Sequence, residues 1–427
     1  MILSDAELVL GLSRHLTVYS KSAERARLEQ LEFVGWIFDL AFRLRGSTTS
    51  TPQRVNAIAT DIGLGQRDTR DVIAEMEKLG WLAVDRHPQT KAPLSVAEAI
   101  PAPADLINSA PAVLEECLTQ PHEWAVIEML RATTIQPLLV EDALHKAAAR
   151  HDAGDTAAQD ALRHLVAVGL LRQVIEADGR EVLYNPNVWT QGDGIAQAAL
   201  KAADARATSE VTALLEELAA NPGLPENHVT STESRWITFA VTQGLVQRSV
   251  IQTSEGVEQA FLFTPHLGRD PFGGTAGDAS GQVRQLVGSM IYAATFAQYK
   301  LHSPEVFLRK LINEGVAGDV TSIGTDYPML EKAGVVKVVP GSSARRFRLE
   351  LLRQDVAEDA LKLLKIRESG PGDGDAAAAL RAQRLYVHVE KERARLALST
   401  QVDEVEQQRL IAALREVPTQ RTFGARP

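Results

Sequence analysis

Cysteine is nearly absent: Cys117 is the only one in 427 residues. One thiol cannot form an internal disulfide, nor can it supply a thiolate metal cage. A reducing compartment is expected. No catalytic signature surrounds Cys117, so it reads as a small apolar residue rather than a nucleophile. Long apolar runs are absent too. No stretch approaches the roughly 20 apolar residues that cross a bilayer. The N-terminal MILSDAELVLGLSRH carries Asp5 and Glu7 where a secretory leader would carry basic residues. A cytoplasmic protein without a membrane segment is expected.

Catalytic spacing is also missing. GGTAGDASG lacks the lysine of a phosphate-binding loop and does not join a strand to a helix, so it reads as a linker. The ten histidines contain no HExxH pair. His145 and His151 lie six apart and share no helix face, so a zinc site is not expected. GxSxG is absent, which leaves a hydrolase elbow unsupported. The acid pairs Glu115-Glu116 and Glu216-Glu217 read as solvated helix faces. A non-enzymatic protein without metal or cofactor is expected.

What is present is a soluble, globular composition: 45% hydrophobic and 23% charged residues. With domains of about 100–150 residues, the length suggests three or four. The net charge of −10 is unevenly spread. Residues 1–100 carry −1, residues 101–280 carry −13, and residues 281–427 carry +4. An acidic polymer would avoid the middle of such a chain.

One short joint recurs four times: EKLGWLAVDR from Glu77, LVAVGLLRQV from Leu165, AVTQGLVQRS from Ala240 and EKAGVVKVVP from Glu331. Each ends a helical pattern on a glycine (Gly80, Gly169, Gly244, Gly334) and then turns β-branched or apolar. A glycine just past a helix takes the left-handed conformation that stops it. The spacings of 89, 75 and 90 residues suit small domains rather than a solenoid. A hairpin is expected after each joint. The second turns at Asp178-Gly179, the third around Ser254-Glu255-Gly256, and the fourth at Pro340-Gly341. In the first, two prolines demote the second strand to an edge.

Helix signals precede each glycine. RVNAIATDIGL, a turn at Gly63-Leu64-Gly65, and QRDTRDVIAEMEKL give two helices, the second with a core stripe at Val72, Met76 and Leu79 beside Ile73. Thr230 and Glu233 have capping-box spacing. Asp326 and Pro328 suit a cap and first turn. A helix-turn-helix closed by a hairpin resembles the winged-helix domain, here over about 51–100, 125–187, 208–266 and 283–366. The fold class expected is therefore mainly α with small β-hairpins (α+β). The resulting division is N-terminal helices 1–46, units at 47–104, 105–190, 191–267 and 282–368, linkers at 268–281 and 369–378, and a helical tail at 379–427. The first unit is similar to the DNA-binding half of many bacterial regulators.

Phosphates are met by lysine and arginine. The fourth hairpin is richest, with Lys337, Arg345, Arg346 and Arg348. Alternation puts Arg346 and Arg348 on one face, and Pro340, Gly341 and two serines keep the tip narrow, as a minor groove or phosphate ridge requires. Arg353, Arg309 and Lys310 would extend the patch. A cationic edge that merely discourages strand pairing is the competing reading. On the second helix of unit one, Gln66, Arg67, Thr69 and Arg70 occupy the turns from which such helices read bases. Asp68, Asp71, Glu75 and Glu77 could instead pair with those arginines. In units two and three, Arg163 stands against Asp155 and Asp160, and Arg235 against Glu233, which disfavours DNA.

The expectation is thus a duplex DNA-binding protein that uses both ends, with an acidic middle that spaces them or docks a protein partner. An acidic winged-helix scaffold or adaptor of a condensin-like or anti-invader complex is the alternative. The tail, through Leu380, Val387, Leu396, Leu398, Leu410, Ile411 and Leu414, reads as a surface for self-association or partner docking, without a strict heptad.

Overall fold

The computed structural model describes residues 3–20, 22–118, 120–175, 179–191, 206–253, 256–265, 281–296, 301–320, 329–344, 346–366, 383–400 and 404–416. Within them the chain is mainly α-helical with small antiparallel sheets. One order of elements runs through it four times: a helix, a short strand, one or two further helices, and a hairpin.

Helices α1 (Asp5–Leu16) and α2 (Ala23–Ala26) come first. The first unit then holds α3 (Glu29–Leu44), β1 (Thr49–Ser50), α4 (Pro52–Ile62), α5 (Gln66–Lys78), β2 (Leu82–Arg86) and β3 (Pro93–Glu98). After α6 (Pro103–Asn108) and α7 (Ala110–Cys117), the second holds α8 (Pro121–Ile135), β4 (Leu138–Leu139), α9 (Val140–Ala149), α10 (Gly154–Ala167), β5 (Arg172–Ile175) and β6 (Glu181–Tyr184). The third holds α11 (Arg206–Ala220), β7 (Leu224–Pro225), a 3-10 turn at Glu226–His228, α12 (Ser234–Thr242), β8 (Gln247–Thr253) and β9 (Glu258–Phe263). The fourth follows α13 (Gln282–Thr295). It holds α14 (Pro304–Glu314), β10 (Val316–Val320), α15 (Met329–Lys332), β11 (Val336–Pro340), β12 (Phe347–Leu351) and α16 (Gln354–Ile366). Last come β13 (Gln383–Val387), α17 (Val389–Ser399) and α18 (Glu404–Glu416). Helix α3, within the stretch 1–46 that the sequence sets apart, holds in the first unit the place α8 holds in the second.

Local chemistry explains the joints. The four glycines have φ of +73°, +65°, +81° and +73°. The next N–H reaches back over the helix end: Trp81 to the Met76 carbonyl (2.9 Å), Leu170 to Leu165 (3.0 Å) and Val335 to Leu330 (3.0 Å). Those bonds satisfy carbonyls that a helix end leaves without partners. In the third joint Val246 donates to Ala240 (3.1 Å). At the start of α4, Thr51 accepts from the Arg54 N–H (3.3 Å) and Pro52 opens the first turn.

The sheets run β1-β3-β2, β4-β6-β5, β13-β8-β9-β7 and β10-β12-β11. Strand β3 is therefore central, not the edge that its prolines suggest. Pro93 opens the strand, where a missing N–H costs nothing, and Pro88 lies outside it. Thr230 does not cap α12, whose N-cap is Glu233. Instead Thr230 and Ser231 donate through backbone and hydroxyl groups to Glu217. Burial opposes that carboxylate, yet these donors hold it below its ordinary range. Asp178, Ser254, Glu255, Asp326, Pro328 and most of both expected linkers lie outside the described residues.

The tail departs most from expectation. Its first described element is a strand: β13 pairs antiparallel with β8, with Tyr386 opposite Ile251 and Val387 opposite Val250. Leu410, Ile411 and Leu414 are buried in the third unit's core, with Leu396 packed against it. The apolar residues expected to join copies are thus largely spent inside one chain, and Leu380 lies outside the described residues.

Helices α1 and α3 sit at the centre. Leu31, Val34, Ile37, Phe38 and Leu40 of α3 are fully buried in a core shared with units one and two. Each such side chain contributes about 1.5–3 kcal/mol. A second core joins unit four to Ile251, Phe261 and Phe263 of unit three. Among the described residues no helix is long and apolar enough to cross a membrane.

Candidate nucleic-acid interface

Helix α5 presents Gln66, Arg67 and Arg70 to solvent. Thr69 does not join them. It is buried, and its hydroxyl donates to the Gly65 carbonyl (2.8 Å), a bond of the helix start, so it cannot read a base. The acids of this helix have structural tasks. Asp68 accepts from the Gly65 N–H (3.3 Å) and Asp71 lies 3.8 Å from Arg67, both side chains exposed. Lys78 spans Glu75 (3.2 Å) and Glu116. Glu77 takes the Arg86 guanidinium and the Val84 N–H (3.3 Å), and the Arg86 bond holds its carboxyl below the ordinary range.

In the fourth hairpin, Val339 faces Arg348 and Lys337 faces Glu350. Alternation places Lys337, Val339, Arg346, Arg348 and Glu350 on one face, while Val336 and Leu349 enter the core. Arg346 is exposed; Lys337 and Arg348 are half-buried. Arg346 and Arg348 are both engaged with other groups of the chain. Glu350, opposite Lys337, puts an acid on this cationic face. The turn closes through the Gly341 N–H on the Arg346 carbonyl (2.6 Å) and the Arg346 N–H on Ser343 (2.9 Å). Arg345 lies outside the described residues.

Arg353 does not extend the patch. It is 4% exposed, donating to the Phe42 carbonyl (3.2 Å), to Gln282 (2.9 Å) and to both Asp355 oxygens (2.9 and 2.7 Å). It bolts unit four to the end of α3. The cue was Asp355, two residues on. Arg309 and Lys310 form helical pairs with Glu305 (3.6 Å) and Glu314 (3.9 Å).

A buried ionic chain that sequence alone did not suggest ties the two ends together. His388 faces Glu390 and accepts from Arg14 (3.1 Å). Arg14 and Arg43 hold Asp39 at 3.0 and 3.1 Å. Arg43 continues to Asp61 at the end of α4 (2.7 Å), which Lys332 of α15 also approaches (3.8 Å). Burial pushes the Asp39 carboxyl up, but the two guanidiniums outweigh it and keep it well below the usual range. Nearby, burial lowers His15 to about 4, its Nε2 bonded to the Val168 carbonyl (2.7 Å). Units one and four are therefore neighbours: Arg54 of α4 and Lys337 of β11 both act on the Glu331 carboxyl of α15.

The middle units differ. Arg163 pairs with Asp160 (2.9 Å) and Glu24 (3.6 Å) rather than Asp155, and Arg235 pairs with Glu233 (2.9 Å) while lying 4.9 Å over Trp236. Cys117 is half-buried, its thiol pushed up to about 12 chiefly by burial. Among the described residues no three His, Cys, Asp or Glu side chains could hold a metal ion. No protein-family model, curated protein or solved structure matches the chain.

Proposed function

We propose that this chain is a cytoplasmic, non-enzymatic DNA-binding protein of tandem winged-helix units. Its contacts are Gln66, Arg67 and Arg70 on the second helix of unit one, with Lys337, Arg346, Arg348 and Arg345 on the hairpin of unit four. One observation carries the reading. Asp61, at the end of α4 in the first unit, is shared by Arg43 of α3 and Lys332 of unit four. That holds units one and four side by side, which supports a reading in which a single duplex engages both cationic elements. The basic third of the chain and the acidic middle give this arrangement a polarity that suits phosphate at the ends alone.

The test is fluorescence anisotropy with a random-sequence duplex over a salt series. Replacing Arg345, Arg346 and Arg348 by alanine lowers the slope of log affinity against log salt by up to about three, since each phosphate contact contributes roughly 0.9. A parallel Arg67/Arg70 double alanine lowers it by up to about two. Unchanged slopes in both would end the proposal.

A second reading, an acidic scaffold or adaptor that does not bind DNA, draws support from unit three. The face of α12 there is apolar and covered, Ile237 and Val241 being buried. It requires that neither variant change any duplex affinity.

A further inference from the structure

Units two and three offer one surface in two states. Seven and three residues before the joint glycine stand Leu162 and Val166 on α10, and Ile237 and Val241 on α12. Six residues after it stand Ile175 on β5 and Val250 on β8. In unit three these positions are 4%, 0% and 2% exposed. In unit two Leu162 and Val166 are only half-buried, and Ile175 is 59% exposed.

The cover in unit three is known. Strand β13 pairs with β8, and α17 packs on both α12 and β8, its Glu392 meeting Arg248. In unit two, β5 is an edge strand among the described residues. Beside it lies an open groove of about 440 Å³ lined by Gln159, Leu162, Arg163, Val166 and Ala167 of α10 and by Gln173 of β5, the Arg163 charge being met by Asp160 and Glu24. Gln173 holds the place of Arg248, four residues past its glycine.

The corresponding edges of units one and four are protected. Six residues past the joint glycine, β2 carries Arg86, held by Glu77, and β11 carries Pro340. Charges and prolines are what keep a free strand edge from pairing. Unit two has an isoleucine there, so its edge is built to be covered.

We propose that unit two receives from a partner protein a cationic segment, extended along β5 and then helical across α10, as β13–α17 covers unit three within the chain. The charge follows from both sides. Residues 383–400 carry four basic and two acidic side chains. Around the open groove, Asp155 shares the α10 face of Leu162 and Val166, and Glu181 sits opposite Ile175. Both carboxylates are exposed and in no ion pair among the described residues. Such a mode combines strand addition with a helix laid in a groove.

A labelled peptide of residues 383–400 is the probe, titrated into the intact protein without nucleic acid, so the outcome is separate from that of DNA binding. Micromolar binding is expected, about tenfold weaker for Ile175→Ser and unchanged for Val306→Ser, an exposed site in unit four. Hydrogen exchange slows at residues 172–175. Absence of binding, equal binding to Ile175→Ser, or protection confined to residues 247–253 would each overturn the proposal. So would a protein dimer that Ile175→Ser dissociates, since the occupant would then be a second copy.

Discussion

Glu77-Lys78-Leu79-Gly80 and Glu331-Lys332-Ala333-Gly334 differ at one residue, and they make the same turn. Both glycines have φ of +73°. In both, the glutamate carboxylate accepts the N–H seven residues on, Val84 at 3.3 Å and Val338 at 3.0 Å. Their surroundings are opposite. A methyl group on Gly80 would meet nothing within 4 Å, whereas one on Gly334 would lie 1.8 Å from the Arg43 carbonyl oxygen. Likewise Glu77 is drawn below its ordinary range by Arg86, while burial pushes Glu331 up. Local sequence writes the turn, and tertiary contact decides what the turn is for. At the first joint it turns the chain into a hairpin; at the fourth it also seats a unit on α3.

Alanine at each glycine breaks that comparison most sharply. Gly80→Ala incurs only left-handed strain, about 1–2 kcal/mol. Gly334→Ala adds a collision with backbone, which cannot swing aside as a side chain does, and costs about 4 kcal/mol or more. Urea unfolding of both variants measures the gap; equal losses would mean that unit four is not seated on α3.

Asp39→Asn tests the seat from beneath. The substitution keeps the shape but leaves Arg14 and Arg43 buried without their shared anion, costing about 3–5 kcal/mol. Because Arg43 provides the surface that Gly334 meets, exchange of backbone amides at 334–340 should quicken while that at 80–86 does not. Equal acceleration at both joints would show that Asp39 supports the whole core rather than this contact.

The sequence exposed what short-range bonding determines and hid what distant partners determine. The joints were legible because a glycine beyond a helix and the strand after it settle their own hydrogen bonds. The Val72–Met76 stripe and the shared face of Arg346 and Arg348 followed from periodicity alone. QRLYV of β13 reads as part of a helical tail because nothing local opposes it. Its strand is set by β8, whose paired residues lie 130 to 137 positions earlier. Asp39 and Arg43 carry no local mark of burial, and Arg353 reads as part of the cationic patch, until residues 14, 61, 282 and 388 are brought beside them. Thr69 fitted a base-reading turn by position, yet the helix start had already claimed its hydroxyl.

The smallest effect separates the two glutamates, and it should have opposite signs. Glu77→Gln loses a partly exposed pair with Arg86, about 0.5 kcal/mol. Its folded-state carboxyl is held below the ordinary value, so its contribution is present above that value and is lost as pH falls. Glu331 runs the other way. Its carboxyl is raised, so the folded state holds the proton more tightly than the unfolded chain, and ionisation opposes folding as pH rises. An amide oxygen in Glu331→Gln can still accept the Val338 N–H without that cost. Stability of Glu331→Gln relative to the parent should therefore improve from pH 5 to pH 8, while that of Glu77→Gln should not. Parallel pH profiles for the two variants would mean that the fourth joint is as open to water as the first.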